Sequence, residues 1–414
     1  MTVPIVNAII NFSTGPSTAQ AMQLDIGILG TNILADAVAV VVDVSDRINR
    51  IETNRGRTAL SDIFQTGSMT LRIVDQNGDF NPQNPASPYF TFLTPMKKVQ
   101  ITATYNSITY PVFSGFITSY VTTYPDNSSF DDVAITTIQA VDAFRLAQLA
   151  QISTVTGASA GDLSGTRINE ILDEIDWPQS MRDIDAGLTT LQNDPGSNRT
   201  ALQALITATE SEYGAVYVDA TGSFVFQDRG VTAGSIGGTP TVFADDGTGI
   251  DYFDATWTLN DILVFNKATI TRLGGSPQVA LNQASIDKYF LHSYFLNNLL
   301  MEVDAVALDY SQAYVASRQE TSIRCDAIVL DLYTENYNTG IIAALDLDFF
   351  DPITVLTTQP GGSTLSKTLQ IFGVRMAITP NSWKTTFTTL ESVIDALVLN
   401  NSIYGTLDYN VLSY

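Results

Sequence analysis

The chain has 414 residues, 45% of them hydrophobic and 15% charged, and its 20 Lys and Arg stand against 43 Asp and Glu for a formal net charge of −23. That length suits two to four domains, and the composition buries real cores and excludes a disordered chain. The acidity excludes a wrapped or groove-read DNA complex, which needs basic patches to neutralise phosphates.

In chain order, the N-terminal "MTVPIVNAIINFSTGP" has neither the basic start nor the apolar core of a signal peptide. No segment reaches about 18 uninterrupted apolar residues, so a membrane-spanning helix is not expected. The chain is therefore expected to be made in a cytoplasm. "SMTLRIVD" (68–75) alternates as a strand does, with Met69, Leu71 and Ile73 on one face.

"RIVDQNGDFNPQNPASPYF" (72–90) follows and sets Asp75, Asn77 and Asp79 at alternate positions, as a calcium loop does. An EF-hand loop also needs Gly at position 6 and Glu at 12. Counting from Asp75, those places hold Phe80 and Ala86, so no metal is assigned. The stretch reads instead as an Asn77-Gly78 hairpin turn. Pro82, Pro85 and Pro88 are then expected to hold the next segment extended. Its expected job is to place a loop at a subunit contact, where a Pro85→Gly change weakens assembly more than folding.

"KVQITATY" (98–105) alternates Val99, Ile101 and Ala103, and "PVFSGFITSYVTTY" (111–124) is a β-branched and aromatic strand. The period then changes. "TIQAVDAFRLAQLAQI" (137–152) has Ile138, Val141, Phe144 or Arg145, and Leu149 at helical spacing. "TRINEILDEIDWP" (166–178) predicts a helix capped by Thr166 and stopped by Pro178. "NRTALQALITATESEYG" (198–214) predicts a helix with Leu202, Leu205, Ile206 and Thr209 on one stripe and Gly214 as its stop.

"AVYVDATGSFVFQDR" (215–229) reads as a hairpin with a four-residue loop, 219–222. "RGVTAGSIGGTP" (229–240) reads as a loop or linker. A further helix is predicted over 302–318, then the strand "IRCDAIVLDLY" (323–333).

One internal similarity stands out. Segments 97–139 and 351–392 each run strand, polar turn, strand, closing strand, with "VFSGFITSYVTTYP" in one and "QIFGVRMAITP" in the other. Aligning the Phe-(Ser)-Gly elements sets Gly115 and Gly373 at matching places. The expected class is α+β, β-dominated, with two related β-barrel-like domains and an α+β insertion between them. The expected division is an N-terminal arm (1–22), a first β-domain (23–150), a middle domain (151–250), a second β-domain (251–392) and a C-terminal tail (393–414).

No catalytic chemistry emerges. His292 and Cys325 are the sole His and Cys, which excludes a disulfide within the chain and multi-His or multi-Cys metal sites. His292, in "KYFLHSYFLNNLL", reads as a packed or edge side chain, and Cys325 as a buried one. No nucleophile elbow or phosphate loop is present. Acidic pairs in "DEID" (173–176) and "ADDGTGIDYFD" (244–254) could serve glycoside hydrolysis in principle. Among 43 carboxylates, proximity in sequence says little. No enzyme activity, catalytic residue, cofactor or metal is expected. The residues singled out, Gly78, Pro82, Pro85, Pro88, Gly115 and Gly373, are structural.

Taken in order, "GILGTNILAD", "DFNPQNPASPYF", "YPVFSGFITSY", "VAITTIQAVDAFRLA", "SEYGAVYVDATGSFVFQDR", "NKATITRLGGSPQVA", "FFDPITVLT" and "LQIFGVRMAITPNSWKTTFTTLE" resemble the minor tail, or tail-tip hub, proteins of long-tailed bacteriophages. The resemblance covers roughly 20–392. It implies two β-barrel-like hub domains per chain and a homotrimer forming a pseudo-six-fold ring between tail tube and tip. The implied partners are the distal tail or tube protein, the tape measure protein and fibre or tip proteins, with DNA passing non-specifically through the lumen. The implied location is the virion tail tip, after assembly in the host cytoplasm. A distal tail ring, a receptor-binding tail protein and, less favoured, a glycan-cleaving tail enzyme are the alternatives.

Overall fold

The computed structural model describes residues 3–13, 40–57, 63–124, 134–232, 239–333 and 337–391. The segments 27–36 and 393–414, both used in the sequence reading, lie outside the described residues. In the first β-unit the strands are β1 (Ile5–Asn11), β2 (Val41–Asp43), β3 (Ile48–Gly56), β4 (Gln65–Val74), β5 (Lys98–Tyr105), β6 (Ile108–Thr123) and β7 (Ile135–Val141). Their alternation matches one-sided burial: Met69, Leu71 and Ile73 of β4 and Val99, Ile101 and Ala103 of β5 all face the core. Residues 5–11, expected as part of an arm, are instead an integral strand. All seven pair antiparallel with β5, from Ile5 opposite Thr104 to Asn11 opposite Lys98.

The insertion carries α1 (Phe144–Leu149), short strands β8 (Gln151–Ile152) and β9 (Asp162–Leu163), α2 (Ser164–Glu174), β10 (Arg182–Ile184), β11 (Thr190–Leu191), β12 (Arg199–Thr200), α3 (Ala201–Glu212), β13 (Ala215–Val218), β14 (Phe224–Gln227), α4 (Arg229–Thr232) and β15 (Thr241–Ala244). Several local readings change here. The helical period over 137–152 belongs to two elements, because Ile138 and Ala140 are claimed by strand pairing with β4 and only 144–149 coil. Helix α2 starts at Ser164, so Thr166 lies inside it, and Leu163 occupies the cap without a side-chain bond. In α3 the buried stripe runs through Ala201, Ala204, Leu205 and Ala208, leaving Leu202 and Ile206 half-buried. Thr200 and Gln203 form a capping box at its start. Tyr213 takes the left-handed position at its end (φ 63°), one residue before the glycine expected to stop it. The hairpin loop between β13 and β14 has five residues, 219–223, with Asp219 accepting from the Thr221 and Ser223 amides.

The second β-unit comprises β16 (Asp254–Thr258), β17 (Lys267–Arg272), β18 (Gln278–Leu281), α5 (Gln283–Tyr289), β19 (Ser293–Leu299), α6 (Asp304–Arg318), β20 (Arg324–Asp331), α7 (Tyr337–Asp346), β21 (Pro352–Thr358), β22 (Thr364–Thr379) and β23 (Ser382–Leu390). Strands β17 to β19 and helix α6 hold a small separate core of Ala268, Ile270, Leu299, Met301, Ala307, Tyr310, Tyr314 and Val315.

The two units share one strand order. The first runs β3-β4-β7-β6-β5 and the second β16-β20-β23-β22-β21, every neighbour antiparallel. Fine detail repeats as well. Met96 and Phe350, each at φ 67°, donate their amides to the Ile117 and Ile371 carbonyls (2.6 and 2.7 Å). One residue later each long strand carries a bulge, between Ile117 and Ser119 and between Ile371 and Gly373. Each long strand thereby turns from one neighbour to the next, as strands do at barrel corners.

This register corrects the alignment made from sequence. Ile117 corresponds to Ile371, so Gly373 matches Ser119, and Gly115 matches Leu369. The Phe-Gly alignment is an even number of residues out. Such a slip keeps every side chain on its own face and so leaves the hydrophobic pattern intact.

Candidate assembly surface

The two units are joined edge to edge. Strand β3 pairs with β4 on one side and β22 on the other, from Gly56 opposite Gly373 to Ile51 opposite Ile378. One 13-stranded sheet consequently runs through both units. Gly56 lies at φ 112°, and a Cβ there would stand 2.3 Å from the Phe372 carbonyl oxygen and 2.5 Å from the Gly373 Cα. Only glycine permits that approach. Arg57 donates its amide to the Phe372 carbonyl (2.8 Å) and sets its guanidinium 3.9 Å from the Phe372 ring centroid.

Side chains lock the same joint. Arg55, 6% exposed, makes a two-pronged pair with Asp348 (both 3.1 Å) and lies over the Phe349 ring. Phe64, Tyr217, Phe349 and Phe350 pack ring on ring, with centroids 5.0–6.0 Å apart. These rings come from the first unit, the insertion and the second unit, so all three meet at one apolar plug. Asp142, at the end of β7, is 3% exposed. It accepts from the amides of Gly67 (2.5 Å) and Phe144 (3.0 Å). Burial pushes its pKa up to about 7, against the pull of those two hydrogen bonds and the nearby Arg55 charge.

The loop 75–97 projects from the first unit. The Asn77-Gly78 pair does form a turn, with the Gly78 amide on the Asp75 carbonyl (3.1 Å) and Gly78 at φ 67°. It is not a hairpin turn, because β4 and β5 are not neighbours. Nor is the next segment extended. The amides of Asn81, Asn84, Ser87 and Phe90 bond to the carbonyls of Gly78, Asn81, Asn84 and Ser87 (3.0–3.2 Å), giving successive turns with a three-residue step.

The cause is a triplet in the sequence, Asn-Pro-Gln, Asn-Pro-Ala, Ser-Pro-Tyr. In each, the Asn or Ser side chain accepts from the amide two residues on, at Gln83, Ala86 and Tyr89. Pro82, Pro85 and Pro88 fill the second turn position, where φ is preset and the missing N–H is not needed. All three are exposed. The triplet is the signal that sequence reading passed over.

Asp75 anchors the loop and is fully buried. Its carboxylate accepts from the amides of Asp79 (2.8 Å) and Phe80 (3.0 Å) and from the Thr136 hydroxyl (2.8 Å). Arg47 pairs with Asp79 at 2.7 Å. These oxygens are engaged in folding the loop. Asn84 does most to hold the coil, because its Nδ2 also donates to the Gly78 carbonyl (2.9 Å). Asn84→Ala is therefore expected to lower stability by about 1–2 kcal/mol. Pro85→Gly is expected to cost about 0.5–1 kcal/mol, acting through the entropy of the unfolded chain. Urea unfolding of the two variants checks that order.

The structure separates the remaining singled-out residues. Gly115 lies in β6 opposite Val99, where a Cβ would meet the Val141 carbonyl oxygen at 2.4 Å. Gly373 is at the joint, some of whose crowding comes from Thr388 (3.1 Å). His292 stands 3.9 Å from Asp261. Cys325 is buried in β20, and burial pushes its thiol up to about 11. The acidic pairs scatter: Asp173 pairs with Arg182 (2.8 Å), Asp245 accepts from the Thr358 amide (2.8 Å), and Asp246 accepts from the Thr248 amide (2.9 Å). Among the described residues, no group of three or more His, Cys, Asp or Glu is placed to hold a metal ion. No described helix is long and apolar enough to cross a membrane.

No family model matches the chain, and no curated protein matches it by sequence. Solved structures do. The 43 kDa tail protein of prophage MuSo2 from Shewanella oneidensis superposes with a TM-score of 0.53 at 13% identity. That match covers 85% of this chain and 95% of the other. A tail protein from Neisseria meningitidis MC58 superposes with a TM-score of 0.56 at 11% identity, covering 94% and 97%. The chain thus has the fold of phage tail proteins, β-dominated with two related units.

Proposed function

We propose, from a chain with the fold of phage tail proteins, that it is a non-enzymatic structural component of the tail tip. In this reading three copies form a hub ring that ends the tail tube, anchors fibre or tip proteins and opens for DNA passage. One observation carries it: each chain holds two β-units of identical strand order, already joined edge to edge by β3 and β22. Three such chains present six units, which lets a three-fold assembly meet a six-fold tube.

The ring's neighbours in this reading are the distal tail or tube protein and the tape measure protein on one side and fibre or tip proteins on the other. The virion tail tip is the location, reached after assembly in the host cytoplasm. A net charge of −23 suits a lumen wall that does not trap phosphates. Native mass spectrometry of the purified chain tests the ring. A mass of three copies is expected. A mass of six points to a distal ring and overturns the hub reading.

A further inference from the structure

The repeat that defines the fold also shows where it is incomplete. In the second unit, the later half of β22 has β23 on one edge and β3 on the other. In the first unit, the equivalent half of β6 has β7 on one edge. Its other edge is held by β5 and the adjoining Lys97 only as far as Ile117. Beyond that, among the described residues, no strand pairs with the edge of β6 opposite β7.

The counterpart of β3 in the second unit is β16. It pairs with β20 alone and ends the sheet. The chain therefore carries two unpaired edges, and they are the two halves of a joint it has already made once, between β3 and β22. Exposed apolar side chains flank both: Val121 (51% exposed) and Tyr124 (57%) by β6, Phe253 (58%) and Leu259 (62%) by β16. Bare edges of this kind recruit a strand.

We infer that β16 of one copy adds antiparallel to the later half of β6 of the next copy, repeating between chains the β3–β22 joint within the chain. The occupant is a second copy because the covering strand at the equivalent edge is the chain's own β3. The inference rests on the ring reading and names its contact.

The register follows from the repeat. Ile117 matches Ile371, so Val121 matches Arg375. Ile51 and Ala255 match because they lie opposite Leu71 and Ile328, which pair in turn with Ile138 and Phe387. Asn54 then matches Thr258. Arg375 pairs with Asn54 within the chain, so Val121 of one copy lies opposite Thr258 of the next. The contact is head-to-tail, and such contacts close into rings.

Directly opposite residues of an antiparallel pair have Cα atoms about 4.5–5.5 Å apart, within disulfide reach, whereas diagonal ones lie beyond about 7 Å. The test is the double variant Val121→Cys with Thr258→Cys, oxidised and run on a non-reducing gel beside the diagonal pair Val121→Cys with Thr256→Cys. Covalent multimers ending at three copies are expected from the first pair, at least tenfold more than from the second, with neither single variant passing a dimer. Trimers in native mass spectrometry whose chains remain uncrosslinked overturn this pairing and leave the ring standing. A chain that stays monomeric up to its solubility limit overturns both.

Discussion

Gly56→Ala is expected to be the most damaging single-methyl change in the chain, costing about 3–5 kcal/mol. Two separate effects add there. A φ of 112° strains any residue with a Cβ, at about 1–2 kcal/mol. The new carbon would also sit 2.3 and 2.5 Å from main-chain atoms of Phe372 and Gly373, and backbone cannot rotate aside as a side-chain tip does. The β3–β22 joint must then open, taking with it the Arg57 amide bond and the fit of Arg55 to Asp348. Gly361→Ala supplies the control. It shares a strained φ, 108°, but a Cβ there meets nothing within 4 Å. Urea unfolding of both variants separates strain from collision, and equal losses would show that the close approach is not what requires glycine.

The second large effect is a pH dependence set by Asp142. Its folded pKa is raised from 3.8 to about 7, so the folded state holds this proton more tightly than the unfolded state does. Its contribution to stability is fully present below pH 3.8 and is lost as pH rises through about 7. One pKa unit is about 1.4 kcal/mol, so the full swing is on the order of 4 kcal/mol. Other carboxylates titrate over the same range, so the informative quantity is wild type minus Asp142→Asn. That difference is expected to fall as pH rises from 5 to 8. A flat difference across the range counts against a raised Asp142 pKa.

Both predictions concern the joint, and the joint was not legible in the chain. Alternation in 68–75 and 98–105 located β4 and β5 and their buried faces, because a strand's side-chain period is local. The duplicated segment was also visible, but with its register four residues out. Aligning Gly115 with Gly373 seemed natural, yet only the bulges and the paired Met96 and Phe350 amides show that Ile117 and Ile371 correspond. Helical spacing over 137–152 failed for a related reason, since pairing with β4 overrode it at Ile138. The proline loop failed differently. Its triplet was in plain view, but prolines were taken to enforce extension when each presets one position of a turn.

By itself, the sequence determined the class of fold, the repeat, most element positions and the lack of a recognisable catalytic motif. Those follow from periodicity, composition and turn chemistry, which act between near neighbours in the chain. Tertiary structure alone decided that Gly56 meets Gly373, that Arg55 reaches Asp348, and that β6 and β16 keep unpaired edges. Each joins residues far apart in sequence, and main-chain pairing leaves almost no trace in side-chain identity. Glycine is the partial exception, because close backbone approach excludes every other residue.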